Sequence, residues 1–262
     1  MSGTGPAPMI LAIKDGNTYN HDTILCPACC DTSFSPVRLR RSPMKAAICY
    51  DFGKPLVIED VEIDPPKKGE VKVRVAATGV CHSDLHDIKG ELPGPLPFIP
   101  GHECAGHVVE TGEGVTAVRE GDPVVVTFIP HCGRCFYCTG GFPHLCRTPW
   151  PLDTETRLRN RAGRPLIAKA KTGGFAEYVV VEESQAVRIP ADMPLDRAAL
   201  LACAVITGFG AVVNRMRVRP MSSVVVIGCG GIGLNVLQGA AFSGADPIIA
   251  IDVVDRKLEA ST

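Results

Sequence analysis

The run S-V-V-V-I-G-C-G-G-I-G, from Ser223 to Gly233, decides half of the fold. Its apolar, β-branched start reads as a buried strand over Ser223–Ile227, which the glycines then end. A helical pattern follows over Gly231–Ser243, and a second apolar strand over Ile248–Val253. Strand, turn, helix and strand make one βαβ unit. Gly228, Gly230 and Gly233 have the G-x-G-x-x-G spacing. The first permits a tight turn, the second lets the backbone approach a pyrophosphate, and the third lets helix and strand pack closely. Backbone N–H groups at the helix start, from Gly231 onward, then face the anion. Asp252, at the end of the next strand, could accept hydrogen bonds from both hydroxyls of an adenosine ribose and would repel a 2′-phosphate. The unit therefore predicts a site for NAD rather than NADP, with Lys257 also in reach of the ribose.

A second stretch, C-G-R-C-F-Y-C-T-G-G-F-P-H-L-C, holds Cys132, Cys135, Cys138 and Cys146 in one loop. Four thiolates fill a tetrahedron and leave no open position, which describes a structural zinc. The same loop could belong to a zinc-ribbon-type nucleic-acid module. The net charge of −1 counts against that. Near-neutral charge also gives no electrostatic case for an anionic membrane. Twelve cysteines without a signal peptide read as thiols and metal ligands of a cytoplasmic protein rather than as disulfides. The stretch 198–213 is uncharged but too short to cross a bilayer, and the glycine-broken stretch 221–245 reads as strand, loop and helix.

From Met44 the pattern is mainly β. Val71, Val73 and Val75 alternate with Lys72 and Arg74, the period of a half-buried strand. Short strands are also expected at 45–50, 101–112, 122–128 and 175–181, which suggests a small barrel or sandwich. Residues 196–215 read as one buried helix with an acidic start and a basic end. Arg157, Arg159, Arg161 and Arg164 read as a solvated loop. Residues 1–43 keep no sustained period and are expected to be a disordered extension. Cys26, Cys29 and Cys30 in that extension lack a fourth ligand nearby.

From Met44 onward the chain resembles the zinc-dependent alcohol dehydrogenases of the medium-chain dehydrogenase/reductase family. The motifs that carry this are G-V-C-H-S-D-L-H, P-G-H-E, the four-cysteine lobe, G-G-F-A-E-Y, the segment from Cys203 to Thr207, G-C-G-G-I-G and Asp252. The resemblance implies an extension (1–43), a GroES-like β-barrel catalytic domain (44–195) and the first βαβ unit of a Rossmann-type NAD-binding domain (196–262). It implies two zinc ions per chain, one catalytic and one structural. Cys81, His102 and Cys203 would bind the catalytic ion, with Glu103 behind it and Asp84 holding the ligand imidazole in its tautomer. Ser83 would bond the substrate oxygen, and His86 would end a proton relay to solvent. His82 matches a contact to the cofactor phosphate, Thr207 a residue packed on the nicotinamide, and Phe128 a wall of the substrate pocket.

The implied chemistry is hydride transfer between a small alcohol and NAD, giving an aldehyde or ketone. An alcohol is a poor hydride donor until its proton is removed, and zinc lowers the pKa of bound water from about 15.7 to about 7. Family chains run on through a second nucleotide-binding half, and full-length relatives are expected to be homo-oligomers. By that comparison this chain reads as C-terminally truncated. A zinc-binding but inactive fragment is the alternative to an active enzyme.

Overall fold

The computed structural model describes residues 11–12, 42–92 and 94–261. Cys26, Cys29 and Cys30 therefore lie outside the described residues. Two β-sheets make up the larger part. In the first, the long strand Glu70–Gly79 pairs antiparallel with Glu103–Thr111, which pairs with Pro123–Val126 and then Ala186–Arg188. Along its other edge, Glu70–Gly79 pairs with Tyr178–Glu182 and with Leu11–Ala12. The second sheet runs Ser42–Ile48, Val57–Ile63, Leu158–Asn160, Pro165–Ala168 and Phe98–Ile99. A bridge between Cys49 and Phe98 joins its last strand back to its first, so the sheet closes on itself. Closure removes the open edges that would otherwise invite strand pairing with another chain. Ser42 and Pro43, read from sequence as the end of the extension, already pair with Ile63 and Glu62.

The strand Tyr178–Glu182 links the two sheets. Its side chains alternate, as every strand's do. Val179 and Val181 pack with Val71, Val73, Val75, Val108 and Val124 in one core, while Val180 packs with Ile48, Val61, Ile63 and Leu166 in the other. Burial of both faces also explains a departure from the expected half-buried pattern. Lys72 is only 4% exposed; its ammonium lies 3.9 Å from Glu110 and 5.5 Å over the Tyr178 ring.

Only half of the arginine run is a solvated loop: Arg161 and Arg164 are exposed at a turn, whereas Arg157 and Arg159 are not. Leu158–Asn160 is a strand, and Arg157 just before it is buried and paired with the fully buried Glu70. Arg157 Nε donates to Glu70 Oε2 at 2.9 Å, its second nitrogen bonds Oε1, and a third contacts Glu155 at 2.8 Å. This fork joins the start of one sheet to the other, the planar geometry for which arginine is suited.

The expected single helix at 196–215 is also corrected. The chain forms Leu195–Ala198, a tighter turn at Ala199–Ala202, then Ala204–Gly210 and a wider π-turn at Ala211–Met216. The break falls at Cys203, whose φ of −139° and ψ of −71° are not helical, and the two parts meet at a 54° bend. Before the break, Ala198, Ala199 and Ala202 pack on Ala77, Ala105 and Val125. Small side chains on both surfaces bring the segment close to the first sheet. After the break, Ile206 and Met216 are exposed. Among the described residues no single helix is long and apolar enough to cross a membrane, and this bent pair is the one combination that has the length and composition.

The last part is the βαβ unit: Val224–Ile227 and Ile248–Ile251 pair in parallel, joined by helix Gly231–Phe242. One face of the two strands packs under the helix through Val226, Cys229 and Leu237. On the other face Val225, Ile227, Ile249 and Ile251 are exposed.

One buried carboxyl sets a pH dependence. Glu182 is 4% exposed, and its Oε1 has no hydrogen-bond partner among the described residues. Burial first, and then the Glu70 charge, pushes it up from 4.5 to about 7. The folded value lies above the unfolded one. Its contribution is therefore fully present below pH 4.5 and is lost as pH rises through about 7. Glu182→Gln is expected to stabilise the fold at pH 8 by roughly 2 kcal/mol, or about 4–8 °C in Tm, and by much less at pH 5. Thermal melts at the two pH values check this; equal shifts would contradict it.

Candidate metal centre and nucleotide loop

The register of two strands builds the first cluster. Gly79 pairs with Glu103 across Glu70–Gly79 and Glu103–Thr111. Cys81 follows the end of one strand and His102 precedes the start of the other, so pairing alone brings them together. Gly101 makes the approach possible. Its φ is +96°, and a Cβ there would stand 2.5 Å from the Phe175 ring and 2.7 Å from the Phe175 nitrogen. Cys203 arrives at the helix break described above. One ligand atom each from Cys81, His102, Glu103 and Cys203 lies within 4.8 Å of all the others.

Asp84 holds this arrangement from behind. It is 1% exposed. Its Oδ2 accepts from Cys81 N at 2.9 Å, at the N-cap of helix His82–Lys89, and its Oδ1 accepts from Gly101 N at 3.1 Å. His102 Nδ1 lies 3.1 Å from the same Oδ1, which leaves His102 Nε2 for the cluster.

The charges follow from this packing. The neighbouring Cys203 thiol, and then His102, pull Cys81 well below the ordinary thiol range, which favours its thiolate. Cys203 is pushed up, first by the Cys81 thiolate beside it and then by burial. Burial pulls His102 down, but the Asp84 carboxylate and the Cys81 thiolate outweigh it and hold the imidazole at about 10. Glu103 is raised to about 7, by burial first and then by the Cys81 charge. Thiolate and imidazole are suitable zinc donors, and metal binding to such a set releases its protons.

The other predicted residues fall around this cluster. Ser83 Oγ is 3.7 Å from Cys81 Sγ. The Phe128 ring meets the His102 ring edge-on, with centroids 5.4 Å apart. Thr207 lies one turn after Cys203, and its N–H bonds the Cys203 carbonyl at 2.9 Å. His82 and His86 stand ring to ring at 4.8 Å. His86 Nδ1 also contacts Glu91 Oε2. Sequence reading passed over Glu91; the signal was a carboxylate immediately after Gly90, the left-handed C-cap (φ 78°) of the helix.

The second cluster is the cysteine loop. Sulfur separations are 3.9 Å for Cys132–Cys138, 3.5 Å for Cys135–Cys138 and 3.8 Å for Cys135–Cys146. Zinc–sulfur bonds of about 2.3 Å put tetrahedral sulfurs roughly 3.8 Å apart. All four cysteines are unbridged thiols and lie within 4.8 Å of one another. The Thr148 hydroxyl and then the Arg134 N–H draw Cys132 down to about 5.

At the glycine loop, Gly228 has φ +96°, and a Cβ on Gly233 would sit 1.8 Å from the Gly228 carbonyl oxygen. Helix and strand are therefore as close as the third glycine allows. Asp252 accepts from Cys229 N at 2.7 Å and Val254 N at 3.0 Å, and Lys257 Nζ stands 3.6 Å away. The Cys229 N–H, more than any other contact, holds the Asp252 carboxyl below its ordinary value. Gly230 caps helix Gly231–Phe242. This helix packs on Ala204–Gly210, where a Cβ on Gly208 would stand 2.4 Å from the Ile232 carbonyl oxygen. One rigid contact thus connects the Cys203 segment to the glycine loop.

A closed β-sheet structure with a thiol-rich open cluster, a four-cysteine lobe and a dinucleotide-type loop defines a class. Residues 67–191 match the alcohol dehydrogenase GroES-like domain family. A class-3 alcohol dehydrogenase of Dictyostelium discoideum is 42% identical over 222 residues, which is 81% of this chain and 58% of that protein. An alcohol dehydrogenase zinc-binding domain protein from Burkholderia ambifaria has a similar structure: TM-score 0.80, 37% identity, 85% of this chain and 62% of that one. For benzyl alcohol dehydrogenase from Acinetobacter calcoaceticus the TM-score is 0.77, with 32% identity over 84% of this chain and 61% of that one. The chain is similar in sequence and structure to these alcohol dehydrogenases, and it spans about three fifths of their length.

Asp84→Asn removes one carboxylate oxygen from a three-way contact and disfavours the His102 tautomer. Metal affinity at the Cys81 cluster should fall about 10–100-fold, while metal affinity at the four-cysteine loop should be unchanged. Competition with a graded chelator series measures this, and an unchanged affinity would count against the role given to Asp84.

Proposed function

We propose that the Cys81–His102–Cys203 cluster is the centre of an alcohol-oxidising, NAD-linked zinc oxidoreductase that yields an aldehyde or ketone. The observation that carries it is the cluster itself: two thiols, an imidazole and a buried carboxylate within 4.8 Å of one another, backed by Asp84. Three ligands of this kind leave a fourth position for a substrate oxygen, as catalytic zinc sites do. Zinc at the cluster would act as a Lewis acid that acidifies a hydroxyl brought to it. The chain's own residues do the rest. Asp84 keeps His102 oriented, and Ser83, 3.7 Å from Cys81 Sγ, is the proposed group that takes a substrate proton and passes it on. His86, on the same helix and in contact with Glu91, is the proposed exit for that proton. Phe128 walls the space next to His102, and Thr207 and His82 are proposed contacts for the cofactor. The glycine loop with Asp252 and Lys257 would hold the adenosine half of NAD.

The four cysteines of the 132–146 loop are the proposed structural zinc site, for a total of two ions per chain. Their sulfur spacing supports this, and a set with no open position has no substrate role. Small alcohols or aldehydes are the proposed substrates.

A second reading, a zinc-binding chain that turns nothing over, is favoured by one observation. The sheet face at Val225, Ile227, Ile249 and Ile251 is exposed, so the nucleotide unit is uncovered on one side. Metal analysis of the purified chain should find about two zinc ions, with Cys203→Ser and Cys146→Ser each losing about one. Calorimetric titration with NAD, and nicotinamide absorbance with a panel of alcohols, then separate the readings. Tight NAD binding with alcohol-dependent reduction carries the first; zinc loading without measurable NAD binding carries the second. Absence of zinc from the Cys81 cluster sinks both.

A further inference from the structure

Helix His82–Lys89 carries two histidines four residues apart, a spacing that sets both on one face. Their rings stand 4.8 Å apart, centroid to centroid, at an interplanar angle of 63°. Two imidazoles sharing one ion, each with a metal–nitrogen bond of about 2.0–2.1 Å, put their ring centres roughly 5 Å apart near the tetrahedral angle. The pair already has this spacing. Both rings are reachable from solvent: His82 is exposed, and the His86 side chain is 42% exposed.

Glu91 completes the arrangement. Its Oε2 contacts His86 Nδ1, and the Glu91 N–H bonds the His86 carbonyl at 2.9 Å, where Gly90 turns the chain back over the helix. A carboxylate on Nδ1 fixes the tautomer with a bare Nε2 and makes that nitrogen more basic. Ligating histidines usually have this support, and Asp84 gives it to His102. Lys89 Nζ, 4.0 Å from Glu91 Oε1, is the other charge beside this carboxylate.

We propose that His82 and His86, with Glu91 behind His86, form a further binding site for a divalent transition-metal cation of the Zn²⁺ or Ni²⁺ type on the exposed face of this helix. Imidazole ligands suit these ions. The site shares no ligand with the two thiol-rich clusters, but it takes the two histidines proposed above for the cofactor contact and the proton exit, so an ion bound there would compete with both roles.

The test is calorimetric titration of the full chain, as purified with its metals, with Ni²⁺; zinc content is measured before and after. One Ni²⁺ per chain is expected, with zinc retained. His82→Gln and His86→Gln should each weaken Ni²⁺ binding by about tenfold or more, and Glu91→Gln by about 10–100-fold. Circular dichroism should be unchanged, because all three positions are at the surface. Ni²⁺ binding that survives all three substitutions, that displaces zinc in proportion, or that is abolished instead by His144→Gln would overturn the proposal.

Discussion

The Asp84 carboxylate is the contact on which the site depends. A buried carboxylate without partners is strongly disfavoured, and this one, 1% exposed, has a partner in each of three directions. Two of them are backbone N–H groups from different loops, so the carboxylate pins Cys81 and Gly101 together as well as orienting His102. Strand register does the same at longer range. A slip of one residue between Glu70–Gly79 and Glu103–Thr111 would turn every side chain to the opposite face. Cys81 and His102 would then no longer converge. Local capping and sheet pairing therefore specify the same geometry, and such agreement between levels is what makes a site precise.

The third thiol comes from a different source. Cys203 follows a turn whose alanines pack on alanines and a valine, and the helix breaks at that position. The same segment is clamped from its other side by Gly208 against the Ile232 backbone. Movement of the glycine loop would thus be felt at Cys203 through a contact with no slack. In the proposed reaction, the pieces that hold cofactor and metal belong to one mechanical unit.

Much of this was legible from sequence where the signal is local. The glycine run and its flanking apolar strands produce the βαβ unit within one or two residues of the expected ends. The close spacing of Cys132, Cys135, Cys138 and Cys146 pointed to one cluster, and their sulfurs are gathered in one. Cys81, His102 and Cys203 are far apart in sequence, and their grouping came through resemblance to a family rather than through any spacing. Other features could not be read because tertiary context decides them. The strand Val57–Ile63 mixes acidic and apolar residues without a clean alternation, yet pairs along its whole length with Ser42–Ile48. Arg157 looks like one of a solvated set until Glu70, 87 residues away, appears beside it. Nothing in the composition of 196–215 signals the break at Cys203.

The long reach from Cys81 to Cys203 has a thermodynamic side. Closing a chain loop of this length costs conformational entropy that rises only slowly with length, and an ion bridging the two thiols would act as a removable staple, present in the native ensemble and absent from the denatured one. The intervening polypeptide includes the whole four-cysteine lobe and the strand shared by both β-cores. An ion held there would stabilise the whole native fold by its binding free energy, so folding of the scaffold would be coupled to metal supply.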